Sequence, residues 1–168
     1  PNFYHPYAFS KGVMEIKNID RTKGEFKQYE GRKIFTFLGT ITRNYGAFTI
    51  IEAIEKLKNE HPEVLLIMHG RGRHYQEACD YVKNKGLDNW VELPGFIAEE
   101  DISTYFSLTD YFISPMNDTV QDWARCPSKL YMYLPYKKPI VTCKIGEPYE
   151  VLKEEGVYYE PSNVASLL

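Results

Sequence analysis

The stretch Arg125-Cys126-Pro127-Ser128-Lys129-Leu130-Tyr131-Met132-Tyr133-Leu134-Pro135-Tyr136-Lys137-Lys138-Pro139-Ile140-Val141-Thr142 decides how the rest of the chain is read. It predicts a helix and then a buried strand. Pro127 suits the first helical position, where a missing N–H costs nothing. Ser128 and Lys129 fall in the first turn, whose unpaired N–H groups and positive dipole end favour an anion. Pro135 predicts a helix end near Leu134, because the residue before a proline is pushed out of helical geometry. Pro139-Ile140-Val141 restarts the chain as a short apolar strand.

Outward from there, short apolar runs alternate with helical spacing. Ile34–Leu38, Val64–Met68, Trp90–Leu93, Tyr111–Ile113 and Gly156–Tyr159 read as strands. Residues 47–57, 75–82 and 98–106 read as helices, and Glu147–Leu152 as a further helical turn. Pro161 onward opens a helix that the chain cuts off. Residues 116–125 read as a polar loop, and residues 12–32 as a solvated, irregular segment broken by Gly12, Gly24 and Gly31. Strands that are apolar on both faces and alternate with helices predict an α/β fold: a doubly wound, mostly parallel, Rossmann-like sheet. The division expected is an entry segment over 1–32 and a Rossmann-like lobe over 33–168.

Composition narrows the function classes. The chain has 168 residues, enough for one domain with a core, and a net charge of -3. That charge does not suggest a nucleic-acid partner, which favours a basic face. Cys79, Cys126 and Cys143 show no metal spacing and fit free thiols in a reducing compartment. No apolar run is long enough to span a bilayer, and no signal peptide is visible.

In an open parallel sheet, ligands bind beyond the carboxyl ends of the strands. Thr40, Thr42, Arg43, Asn44, His69, Arg71, Arg73, His74 and Arg125 fall in those loops, and Ser128 and Lys129 open the next helix. Several cations at one edge suit an anionic ligand, with a diphosphate the obvious candidate. Gly70-Arg71-Gly72 lacks the third glycine of a dinucleotide fingerprint, because Tyr75 stands there. His5, His61, His69 and His74 lack ligand spacing, so no metal site is expected. His69 reads as a satisfied structural histidine. No general-base pair or nucleophile elbow is visible, so no catalytic residue is assigned.

The opening stretch also resembles the "Pro-x-Lys-Leu-x-Glu-Tyr-Leu-Ala-x-Gly-Lys-Pro-Val-Val" segment of GT-B glycosyltransferases of the large retaining group. Lys129-Leu130, Tyr133-Leu134 and Lys138-Pro139-Ile140-Val141 carry the match. Gly39 followed by Gly46 resembles the family's "Gly-Arg…Lys-Gly" loop, with Thr40 and Tyr45 where the family often has cations. His69-Gly70-Arg71-Gly72, Val91–Ile97 and Thr109–Pro115 resemble further family segments in the right order. Pro1-Asn2-Phe3 through Phe9 is similar to the family's entry into its second lobe.

The resemblance implies one lobe of a two-lobe architecture, preceded by an N-terminal lobe. It implies a nucleotide-sugar donor as substrate, no metal or other cofactor, and a glycan or lipid-linked acceptor held through the other lobe. Thr40, Arg43, Asn44, Arg71, Phe96, Ile97, Arg125, Ser128, Lys129 and Met132 become the expected donor-binding residues. Polysaccharide biosynthesis in the cytoplasm, with peripheral association at the inner membrane face through the other lobe, is the expected setting. The isolated lobe is expected to be inactive.

The family's two glutamates fall on Ala124 and Met132, so both are absent. Met132 shares a predicted helix face with Lys129, Tyr133 and Tyr136. A thioether cannot hold two ribose hydroxyls as a carboxylate does, which leaves Asp118 or Asp122 as substitutes. A non-catalytic lobe kept as a structural or partner-binding module is therefore an alternative. An unrelated doubly wound domain, regulatory or flavin-binding, is a third.

Overall fold

The computed structural model describes residues 9–168; the expected family-like opening over Pro1–Ala8, with His5, lies outside the described residues. Six strands are present: β1 (Lys33–Leu38), β2 (Val64–His69), β3 (Val91–Gly95), β4 (Tyr111–Ile113), β5 (Ile140–Thr142) and β6 (Val157–Tyr158). They form one sheet in the order β3-β2-β1-β4-β5-β6, with every pair parallel. The helices are α1 (Ala47–Leu57), α2 (Tyr75–Asn84), α3 (Glu99–Leu108), α4 (Val120–Ala124), α5 (Ser128–Tyr133), α6 (Gly146–Leu152) and α7 (Val164–Leu167). The chain winds outward from β1 to β3, then returns across β1 to start β4. That reversal puts a switch point between the carboxyl ends of β1 and β4.

The continuous apolar strands are explained by cover on both faces. In β2, Val64, Leu66 and Met68 pack with Ile50, Ile51 and Ile54 of α1 and Ala78 and Val82 of α2. Leu65 and Ile67 pack on the opposite face with Tyr29, Ile34 and Leu108. Beside them, Ile102 and Phe106 of α3 meet Phe112, Ile140 and the buried residues of α5.

Three expectations are corrected. Residues 12–32 are not simply solvated: 3-10 turns at Lys11–Met14 and Gly24–Tyr29 bury Val13 and Tyr29 against the lobe. Lys17 Nζ donates to Thr104 Oγ1 (2.7 Å), and Arg21 pairs with Asp110 (3.1 Å), strapping this segment to α3 and the foot of the sheet. Period analysis misses such a strap because its few buried residues follow no repeat. Residues 116–125 contain α4, whose start is capped by Thr119 Oγ1 accepting from Asp122 N–H (3.2 Å). Pro127 precedes α5 as its N-cap rather than filling its first position. Beyond α5 the chain tightens into a 3-10 turn, Leu134–Tyr136, which accommodates Pro135 near its start.

One contact fixes α5 on the sheet. Ile113, the last residue of β4, pairs with Phe37, so the next N–H of β1 has no strand beside it. Tyr133 Oη accepts that hydrogen bond from Leu38 N–H at 2.9 Å. The Tyr133 ring stacks on Phe112 (4.2 Å, 11°) and meets Phe106 edge-on at 5.3 Å. At the other end of the turn, Lys138 Nζ donates to the carbonyls of Phe106 (3.1 Å), Ser107 (2.7 Å) and Thr109, closing the C-terminus of α3.

His69 ends β2 on the α3 face, only 1% exposed, with its ring edge-on to Tyr105 at 4.5 Å. It is buried as expected but not satisfied: neither ring nitrogen has a partner among the described residues. Burial pulls its pKa down from 6.5 to about 4.

Two predictions follow from these contacts. Tyr133→Phe should keep the stacking but strand Leu38 N–H, costing about 1–3 kcal/mol in urea denaturation at unchanged slope; an unchanged midpoint would refute the role given to the hydroxyl. The unfolded chain protonates His69 at a higher pH than the folded chain does. The neutral ring's stability is therefore complete above pH 6.5 and is lost as pH falls towards about 4. The loss should reach about 3 kcal/mol relative to His69→Leu; parallel stability–pH curves for the two proteins would contradict it.

Candidate functional site

The carboxyl ends of β1 and β2 approach unusually closely, and glycine makes this possible. Gly70 has φ +129°, and a Cβ there would lie 2.0 Å from Gly39 O. Gly39 has φ +154°, and a Cβ there would lie 2.7 Å from Lys129 Nζ. Side chains would therefore fill the floor on which the lysine rests. The loop backbones bind one another through Gly39 N–H to His69 O (2.9 Å) and Ile41 N–H to Arg71 O (3.2 Å).

Lys129 lies one helical turn before Tyr133, so the hydroxyl that docks α5 also sets the position of this cation. Its ammonium sits 4.1 Å from the Phe37 ring centroid and makes no hydrogen bond among the described residues. The residue is half-buried, with its head group against Gly39 and Phe37 at the strand ends. Burial, and then the nearby Arg125, pull its pKa down to about 7, while Asp122 opposes the shift.

Arg125 reaches the same region. Its guanidinium lies 4.7 Å over Tyr45 and donates through Nη2 to Pro115 O (3.3 Å). Its Nε is 3.2 Å from Asp122 Oδ1, near enough for an ion pair but out of line for a hydrogen bond. Asp122, 2% exposed, also accepts from Asn117 N–H (2.6 Å), so its carboxylate is committed within its own loop. Asp118 accepts from Trp123 Nε1 (2.8 Å). Asp122 therefore does not stand free to take over from a glutamate, and Asp118 is engaged with Trp123.

The other expected residues divide. Thr40 is exposed beside Gly72, and Ser128 is exposed at the start of α5. Arg71 is exposed, 4.8 Å over the Tyr75 ring and against Gly95. Phe96, at the end of β3, is 79% exposed, whereas Ile97 packs on the α3–α5 cluster. Arg43 is not a free cation: it pairs with Glu77, lies 4.2 Å over Phe48, and holds the Glu77 carboxyl below its usual range. Asn44 is exposed, and its carbonyl accepts from Asn117 Nδ2. Met132 lies 9% exposed in the apolar cluster with Val13, Ile102 and Leu130.

Sequence reasoning passed over Ser114, and it placed Thr42 in a strand-end loop without giving it a donor-binding role. Ser114 Oγ, just after β4, and Thr42 Oγ1, in the loop after β1, are buried without hydrogen-bond partners among the described residues. Both flank the switch point, where an unpaired buried hydroxyl calls for explanation. Their place after a strand end was a legible signal; their burial was not.

Known proteins share this fold. HepE of Anabaena, solved with UDP-glucose, superposes with a TM-score of 0.71 at 18% identity, covering 96% of this chain and 42% of that one. The C-terminal domain of LpcC from Francisella tularensis, a group 1 glycosyl transferase, gives 0.67 at 18% identity, covering 95% of this chain and 84% of that one. Bacillus subtilis YtcC, named as a glycosyltransferase, is 22% identical over 181 residues, 99% of this chain and 42% of its own. Spore coat protein SA of the same organism is 23% identical over 158 residues, 90% of this chain and 40% of its own. The chain thus spans about two-fifths of the length of these curated relatives. The family model for glycosyl transferases group 1 matches residues 18–168, and the chain belongs to that family.

Proposed function

We propose that this chain is the donor-binding lobe of a retaining glycosyltransferase. It takes a nucleotide-sugar, and the sugar passes to a glycan or lipid-linked acceptor held mainly by a second lobe. The observation that carries this reading is Lys129: a half-buried lysine whose ammonium makes no hydrogen bond among the described residues, seated on a glycine floor at the switch point. HepE was solved with UDP-glucose and TarM of S. aureus with UDP, which makes a uridine diphosphate the first donor to test.

In the reaction, the bond between the anomeric carbon and the diphosphate oxygen breaks and negative charge grows on the departing phosphate. Lys129, with Arg71 at the neighbouring strand end, offsets that charge, and the reading assigns it to no metal. The acceptor oxygen bonds the anomeric carbon and passes its proton to the departing phosphate. No residue of this lobe is assigned as base, and the lobe alone is inactive in this reading. Among the described residues no helix is long and apolar enough to cross a membrane. Membrane contact, where surface glycans are assembled on the cytoplasmic side, then falls to the other lobe.

A second reading is a non-catalytic lobe. It is favoured by Met132, which brings no acceptor to a site where the family resemblance puts a carboxylate, and by the commitment of Asp118 and Asp122 elsewhere.

A thermal-shift panel separates the two. UDP, GDP, ADP, CMP and their sugar conjugates are each tested against the chain and Lys129→Ala. A ligand that binds only the folded state adds about 2.7 kcal/mol at a hundredfold excess over Kd. The donor reading expects one nucleoside diphosphate to stabilise the parent and to lose at least most of that effect in the variant. Equal shifts in both proteins would remove Lys129 from the site, and no shift with any nucleotide would favour the non-catalytic lobe.

A further inference from the structure

A cavity of about 570 Å³ opens at the carboxyl edge of β5 and β6. The connection from β4 to α5 serves two sides. Asp122 and Arg125 bind towards the β1 loop and Lys129, whereas Asp118 and Trp123 line this cavity with residues that follow β5 and β6.

Its chief feature is an exposed but fixed aromatic plate. The Trp123 side chain belongs to a residue 55% exposed, yet its Nε1 donates to Asp118 Oδ1 at 2.8 Å, which holds the indole in place. The backbone behind it is equally constrained. α4 rests on Gly146, whose φ is +51° and where a Cβ would lie 2.8 Å from Trp123 O. Across the cavity, Lys144 Nζ lies 5.4 Å from the Tyr158 ring. Glu160 and Ser166 complete the polar lining, with Ser166 Oγ accepting from Glu160 N–H at 2.9 Å.

The chemistry selects a ligand class. Two carboxylates, Asp118 and Glu160, against one ammonium disfavour a phosphate or another strong anion. The lining is too polar and open to enclose a lipid chain. A pyranose matches both parts: its C–H face lies on an aromatic plate, and its hydroxyl rim meets carboxylates and an ammonium that accept and donate in turn. We infer that this cavity, which Lys129 does not line, binds a saccharide segment of a glycan. The inference stands on Trp123 and its surroundings and does not require the donor reading.

Isothermal titration calorimetry with maltotriose, chitotriose and mannotriose tests it on the full chain. The expected result is saturable binding of one of the three, weakened about tenfold by Trp123→Ala, equivalent to losing one aromatic platform. Asp118→Ala, which leaves the indole present but unpinned, should weaken binding by less than Trp123→Ala. Saturating UDP should leave the saccharide affinity unchanged; if UDP itself fails to bind, the donor reading fails while the saccharide titration still reads this site. No binding of any trisaccharide, equal binding by parent and both variants, or displacement of the saccharide by UDP would each overturn the inference.

Discussion

The hydrogen bond from Leu38 N–H to Tyr133 Oη is the constraint on which the site depends. β4 is only three residues long, so the central strand runs past it and leaves a backbone donor without a ladder partner. A part-buried N–H in that position needs a partner, and the phenol of α5 supplies it. Its burial keeps the phenol protonated, and stacking on Phe112 fixes the ring. Everything one turn earlier on α5 is then determined. Lys129 lands over Phe37 and against Gly39, and Gly39 can lie there only because Gly70 lets the two strand ends close together.

The same geometry explains a division of labour among the cations. Eleven positive or polar side chains near one edge look equivalent in sequence, but the structure spends them differently. Arg43 is committed to Glu77, and Arg125 to Asp122, Tyr45 and the Pro115 carbonyl. Among these side chains, Lys129 combines partial burial with an ammonium that makes no hydrogen bond among the described residues. Desolvation weakens its charge, and in the donor reading an anion placed beside it would restore that charge.

The fold was legible because its signals are local and periodic. The apolar runs of β1 and β2, the helical spacing of α1 and α2, and the Lys129–Val141 segment all predict a parallel α/β sheet before any coordinates. What escaped was non-periodic or non-local. The strap over residues 9–32 buries only isolated residues such as Val13 and Tyr29, and α4 is too short to show a period. For the site, spacing found the edge and named Lys129. It could not say that Arg43 is paired across 34 positions, that Met132 joins an apolar cluster, or that His69 is buried without partners. Those facts depend on which side chains the fold brings together.

The central claim is that Lys129 is a desolvated cation waiting for a diphosphate. The most direct measurement is an NMR titration of the Lys129 side-chain nitrogen in ¹⁵N-lysine-labelled chain, with and without UDP, assigned by Lys129→Arg. The account predicts titration near pH 7 in the free chain and a clear upward shift when UDP is bound, as the ammonium gains an anionic partner. A Lys129 that titrates in the ordinary lysine range and does not respond to UDP would contradict it.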